Sequence, residues 1–178
     1  MGTERRLVRH FLATLAYRTQ KALRDAPSDF ESFRIAPGTR TPHELVRHMS
    51  GVLNYALGLV TAPRALLEIS PTLAEEILRF HSLLDALADR LLQEFEFSKE
   101  LAERLLQGPL ADAMAHTGQL AMLRRLAGSP VAPENFFLAV VSAENVGPDQ
   151  PLPASPDQDW PEAPAGWIAP TTSPATRG

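Results

Sequence analysis

Between Leu73 and Leu91, six apolar residues (Leu73, Ile77, Phe80, Leu84, Leu87 and Leu91) recur at alternating steps of four and three. That period places them on one face of an α-helix and excludes a strand, whose sides alternate every second residue. A helix with a single apolar stripe has to bury it against something, so this segment demands partner helices or a sheet. Three further segments carry the same period, and strand signals are few.

The first segment runs from about Glu4 to Arg24, with Leu7, Phe11, Leu15 and Ala22 among its apolar positions and arginines between them. The second opens with Thr41 as N-cap, Pro42 at the first helical position and Glu44 three residues after the cap, a complete start signal. It continues through Leu45, His48, Val52, Tyr55 and Leu59 at helical spacing. The third starts at Pro71-Thr72 and extends to about Glu96, and the fourth runs from near Pro109 to a glycine stop at Ala127-Gly128. Pro133-Glu134-Asn135 then begins one short helix through Phe136, Phe137, Val140 and Val141. From Gly147 onward eight prolines fall within 32 residues, which sustain neither a helix nor a central strand. The expectation is an all-α protein: an antiparallel four-helix bundle over residues 1–146 with a short fifth helix, followed by a Pro-rich irregular extension over residues 147–178. Trp160 and Trp167 in that extension are large apolar groups without local partners, expected to dock on the bundle or on a second subunit.

With 178 residues the chain is long enough for one domain with a true core. A net charge of −4 provides no field to attract a polyanion, so nucleic acid is not an expected partner. No apolar run approaches the roughly 20 residues that span a bilayer, and charges interrupt the N-terminal stretch too often for a secretory segment. No membrane association and a cytoplasmic location are therefore the expectation. The chain has no cysteine. Disulfides, zinc-thiolate sites and a cysteine nucleophile are excluded, so any metal must be held by nitrogen and oxygen. Thiol chemistry would need a thiol supplied by a substrate or cofactor.

The candidate site lies on the fourth segment. Asp112 and His116 stand four residues apart, about one helical turn, and project from one face. On the second segment His48 falls roughly 30° from the centre of the apolar face and points inward. An imidazole and a carboxylate in an apolar interior cost several kcal/mol unless satisfied. A divalent ion held by His48, Asp112 and His116 satisfies all three; so does a simple hydrogen-bonded cluster. Neutral imidazole and carboxylate suit Zn²⁺, Ni²⁺, Fe²⁺ or Mn²⁺, and three protein ligands leave positions open for water or substrate. Asp112, His116, Gln119, Leu123 and Leu126 form one stripe, polar at its start, with Arg124 and Arg125 marking solvent or a polar boundary.

Other polar residues read more plainly. His81 and Asp85 lie at the rim of the third helix as a surface pair, and His43 in the first turn of its helix reads as solvated. Arg5, Arg6 and Arg9 read as a solvated face beside His10. Ser50 and Ser142 have no nucleophile signature around them. Met114, Ala121 and Met122 widen the apolar surface of the fourth helix, as core or as a dimer seam.

TPHELVRHMSGVLNYA, followed later by DAMAHTGQLAMLRRLAGSPVAPENF, resembles the DinB-like superfamily of metal-dependent bundle proteins, over about Glu4 to Gln150 in layout. The resemblance implies a four-helix bundle, commonly a homodimer, with a metal between helices. Its ligand positions fall on His48, Asp112 and His116, with an aspartate where a histidine is more usual, which shifts preference toward harder metals. Relatives of known activity include transferases that use a low-molecular-weight thiol and a thiol-dependent isomerase. The implied function is a divalent-metal-dependent transferase that activates such a thiol for a small-molecule substrate, with Gln119 orienting a ligand or a substrate polar group. Two alternatives stand beside it. One is a non-enzymatic dimeric bundle, a stress-response or interaction protein whose polar trio is a core cluster. The other is a metal-dependent hydrolase, which would want a general base that these inner faces lack.

Overall fold

The computed structural model describes residues 1–61 and 66–157, together with Trp160, Ala163 and Ala165. Trp167 lies outside the described residues. The protein is all-α. Its long helices are α1 (Thr3–Leu23), α2 (Pro42–Val60) and α3 (Leu73–Leu92), and a fourth rod is assembled from α4 (Lys99–Leu105), a π-helical turn (Leu106–Leu110) and α5 (Ala111–Leu126). Single 3₁₀ turns occupy Phe30–Ser32 and Phe136–Leu138.

Local chemistry explains several helix ends. At α2 the Thr41 side chain accepts from the Glu44 amide while the Glu44 carboxylate accepts from the Thr41 amide, a reciprocal capping box. Thr72 and Ser98 cap α3 and α4 in the simpler one-sided way. Gly128, at φ +74°, closes α5: its N–H donates to the Arg125 carbonyl and that of Ser129 to the Arg124 carbonyl, the paired bonds of a Schellman motif. The third helix stops at Leu92, short of the expected Glu96, and the fourth rod begins at Lys99, nearly three turns before Pro109. Proline has no amide hydrogen and would crowd the preceding turn of a regular α-helix, and the π turn accommodates it without ending the rod. That turn ends two residues before Asp112.

Around the bundle the neighbours run α1–α3–α2–α5–α1. Arg5 near the start of α1 donates to carbonyls of Leu91 and Gln93 at the end of α3, so α1 and α3 are antiparallel. Arg124 near the end of α5 donates to the carbonyls of Ala22 and Arg24, so α1 and α5 run together. Arg90 in the last turn of α3 donates to Val60 at the end of α2, so those two also run together and α2 opposes the fourth rod. Each rod thus has one antiparallel neighbour.

The core holds Leu12, Leu15, Met49, Leu53, Phe80, Leu84, Leu87, Leu91, Leu105 and Leu110, all fully buried. The third-helix stripe matches its expected face. The second does not: α2 buries Leu45, Val46, Met49, Leu53, Ala56 and Val60, while Tyr55 and Leu59 are exposed. Leu7 and Leu126 likewise face outward. The expected fifth helix is only the 3₁₀ turn Phe136–Leu138, and Phe137 is 94% exposed.

Past α5 the chain packs back onto the bundle. Val146 joins the core, Glu134 pairs across an isolated bridge with Pro156, and Trp160 is buried near the Arg125 guanidinium. Arg9, expected as part of a solvated face, is buried and pairs with Glu144 at 2.9 Å. No helix among the described residues is long and apolar enough to cross a membrane.

Candidate metal centre

α2 and the fourth rod meet where their polar residues fall. His48 Nε2 lies 3.3 Å from Asp112 Oδ2, and His116 Nε2 lies 3.4 Å from Asp112 Oδ1. The two imidazole rings meet edge to face with centroids 4.7 Å apart. One ligand atom from each of the three residues lies within 4.8 Å of the other two. His48, Asp112 and His116 therefore form a group able to hold a metal ion.

The spacing fits such an ion. Ligand atoms about 2.1 Å from a tetrahedral metal are about 3.4 Å from one another; here each Asp112 oxygen stands at that distance from a different imidazole, and one ligand atom from each residue lies within the wider 4.8 Å. The donor set is two nitrogens and a carboxylate, a borderline-hard set suited to divalent first-row metals.

A neighbour on α5 orients the His116 ring. His116 Nδ1 is 2.9 Å from Gln119 Oε1. An amide oxygen only accepts, so Nδ1 carries the hydrogen. In the neutral ring Nε2 is then a bare lone pair facing the Asp112 carboxylate. The lone pair and the carboxylate oxygen are both groups that a cation can use as ligands.

The site is graded in exposure. His116 is nearly buried, with 10% of its side chain accessible, His48 is one-third exposed and Asp112 about half exposed. His48, expected to point inward, is one-third exposed and sits at the edge of the α2–α5 seam. Burial holds the His48 imidazole below its ordinary pKa, with Arg40 and His116 adding to the effect and Asp112 opposing it. A neutral ring is the form that ligates.

Gln119 is placed against His116, one turn along α5, and is itself exposed. The other sequence readings fare differently. His81 is not a surface partner of Asp85: it is 3% exposed, its Nδ1 donates to the Val146 carbonyl at 2.7 Å, and Asp85 faces solvent. His43 is half-buried, not solvated. Arg124 is 4% exposed and donates to five oxygens, so it marks interior, not solvent. Met122 and Ala121 are exposed, and Met114 is partly buried against the core.

Sequence reasoning passed over Arg40 and Arg47. Arg47 directly precedes His48, and Arg40 precedes the capping threonine of the same helix. Their closeness to a candidate ligand was a signal available in the sequence.

Comparison with protein-family models, with curated proteins and with solved structures gave no match.

Proposed function

We propose that the chain is a metal-dependent bundle protein of the DinB-like kind, which binds one divalent cation at His48, Asp112 and His116. It acts as a transferase on the sulfhydryl of an external low-molecular-weight thiol. The observation that carries this reading is the convergence of two imidazole nitrogens and a carboxylate at metal-ligand spacing, on a face that solvent reaches. A divalent ion there supplies Lewis acidity that lowers the pKa of a thiol and presents it as a nucleophile. The residues do the rest. Gln119 fixes the tautomer of His116, so that Nε2 faces inward as a lone pair. Asp112 supplies one negative charge and offsets part of the ion's two. Its half-exposed side chain marks the side from which a thiol and a second substrate approach. The chain has no cysteine, so the thiol must come from outside.

We also propose that the chain forms a homodimer. Sedimentation at several protein concentrations tests that proposal independently of the metal.

A second reading has its own observation: each Asp112 oxygen faces a different imidazole, which also suits a metal-free cluster with one ring protonated. Titration with Zn²⁺, Ni²⁺ and Mn²⁺ separates the two. The metal reading expects one ion per chain, lost in His48→Ala and His116→Ala, and a new sulfur-to-metal absorption when 2-mercaptoethanol is added to the Ni²⁺ form. No uptake of any of these ions leaves the cluster reading in its place.

A further inference from the structure

His48 is also one wall of an open cleft of about 400 Å³, lined by Arg34, the Gly38 turn, Arg40, Glu44 and Arg47. Three guanidinium groups face one carboxylate there. That carboxylate is already committed: Glu44 accepts from the Thr41 amide at 2.8 Å and from Arg34 through both oxygens at 3.0 and 3.1 Å. Arg34 donates in addition to the Thr39 carbonyl. Arg34 and Glu44 neutralise each other and tie the connection before α2 to the first turn of that helix.

Arg40 and Arg47 are left over. Both are exposed, and neither has an acidic partner within ion-pair distance among the described residues. In a chain of net charge −4, two exposed guanidinium groups outside any ion pair, Arg47 acting on the Glu44 carboxylate only at longer range, border the same histidine that joins the candidate metal group. The guanidinium fork matches carboxylate and phosphate oxygens, and such charge-assisted bonds are among the stronger ones available at a surface.

We infer that this cleft is an oxyanion subsite, in which Arg40 and Arg47 hold a carboxylate or phosphate of the molecule whose reacting end sits at His48, Asp112 and His116. The inference rests on the metal-centre reading for the reacting end and on the cleft alone for the anion. It narrows the ligand to a small anionic thiol or an anionic acceptor.

The test uses the full chain loaded with Ni²⁺, titrated by absorbance with 3-mercaptopropionate and with 2-mercaptoethanol. These thiols differ chiefly in a carboxylate against a hydroxyl. The carboxylate thiol should bind about tenfold or more tightly, the effect of one charge-assisted contact. In Arg40→Ala/Arg47→Ala that preference should shrink to within about twofold, with metal stoichiometry unchanged. Equal affinities in the unsubstituted protein, or a preference that survives the double substitution, overturn the inference. Failure of the metal reading shows separately, as no Ni²⁺ uptake. In that case calorimetry with inorganic phosphate and with succinate on the metal-free protein decides. Binding of either that disappears in the double variant supports the cleft and tells phosphate from carboxylate; no binding, or binding that persists in the variant, overturns it.

Discussion

Gln119 Oε1 and His116 Nδ1 stand 2.9 Å apart on successive turns of α5, while the other ring nitrogen, Nε2, faces Asp112. Partners of this kind orient a ligand ring and raise its basicity, and their loss typically costs 10–100-fold in metal affinity. Gln119→Ala should therefore weaken metal binding by about that factor. Its thermal unfolding without metal should stay nearly unchanged, because the side chain is exposed. Gln119→Glu keeps an acceptor at the same place and should retain most of the affinity. Calorimetric titration of the three proteins is the check, and equal affinity in Gln119→Ala would remove Gln119 from the site.

Asp112 separates a metal ligand from a hydrogen-bonding neighbour. Asp112→Asn keeps the shape and an oxygen but loses the charge, and the half-exposed position makes the change easy to accommodate. The fold should persist while metal affinity falls. At a metal concentration a hundred times the dissociation constant, binding stabilises the native state by about 2.7 kcal/mol. For a chain of this size that corresponds to roughly 5–10 °C in melting temperature. A chelator should remove that increment from the unsubstituted protein and leave Asp112→Asn unmoved; identical chelator responses would count against ligation.

The third helix was legible because only one of its faces is apolar, so the period fixes the phase as well as the type of element. α2 was not. Its apolar residues spread over most of the circumference, and a stripe through His48, Val52, Tyr55 and Leu59 fits the period as well as the buried one through Val46, Met49, Leu53 and Ala56. Only packing against α3 and α5 selects between them. Asp112 and His116 were readable as a pair because a four-residue step is local. The approach of His48 depends on two rods meeting at one level, and no local signal in the sequence encodes that. Arg124 and His81 were misread for a common reason. A charged or polar side chain reads as solvent-facing until distant backbone carbonyls satisfy it, and those carbonyls come from the end of α1, from Ser129 and from Val146.

Arg124 follows as a stability prediction. Its guanidinium joins the C-terminal ends of α1 and α5, donating to the carbonyls of Ala22, Arg24, Asp25 and Ser129 and to the Ser129 hydroxyl. Asp25 is held there at φ +53°, past the last turn of α1. Removing the side chain leaves helix-end carbonyls enclosed without donors, at about 1–3 kcal/mol for each group left unsatisfied. Arg124→Met should thus destabilise the protein by about 2–4 kcal/mol, while Arg125→Met, at an exposed neighbour, should cost far less. Urea denaturation of both variants measures the difference; similar small losses would show the carbonyls to be satisfied by water instead.

His81 makes a prediction in pH. Burial lowers its pKa from the ordinary value, with the Val146 carbonyl and the Asp149 charge partly opposing. The physical cause is visible at the ring: Nδ1–H already donates to Val146, and Nε2 is enclosed without a hydrogen-bond partner among the described residues, so a second proton there has nothing to bond. The folded protein binds that proton less readily than the unfolded chain does. Stability from this group is therefore complete above the unfolded imidazole value of about 6.5 and is lost as pH falls from there toward the lower folded value. The slope is at most about 1.4 kcal/mol per pH unit for one group. His48, also lowered, contributes with the same sign, so the comparison needs a variant. His81→Gln retains a donor for Val146 without titrating. The stability gap between pH 7.5 and pH 5.5, measured by urea denaturation, should be smaller in His81→Gln than in the unsubstituted protein. An equal gap in the two would mean that His81 takes up its proton in the folded state as freely as in the unfolded one.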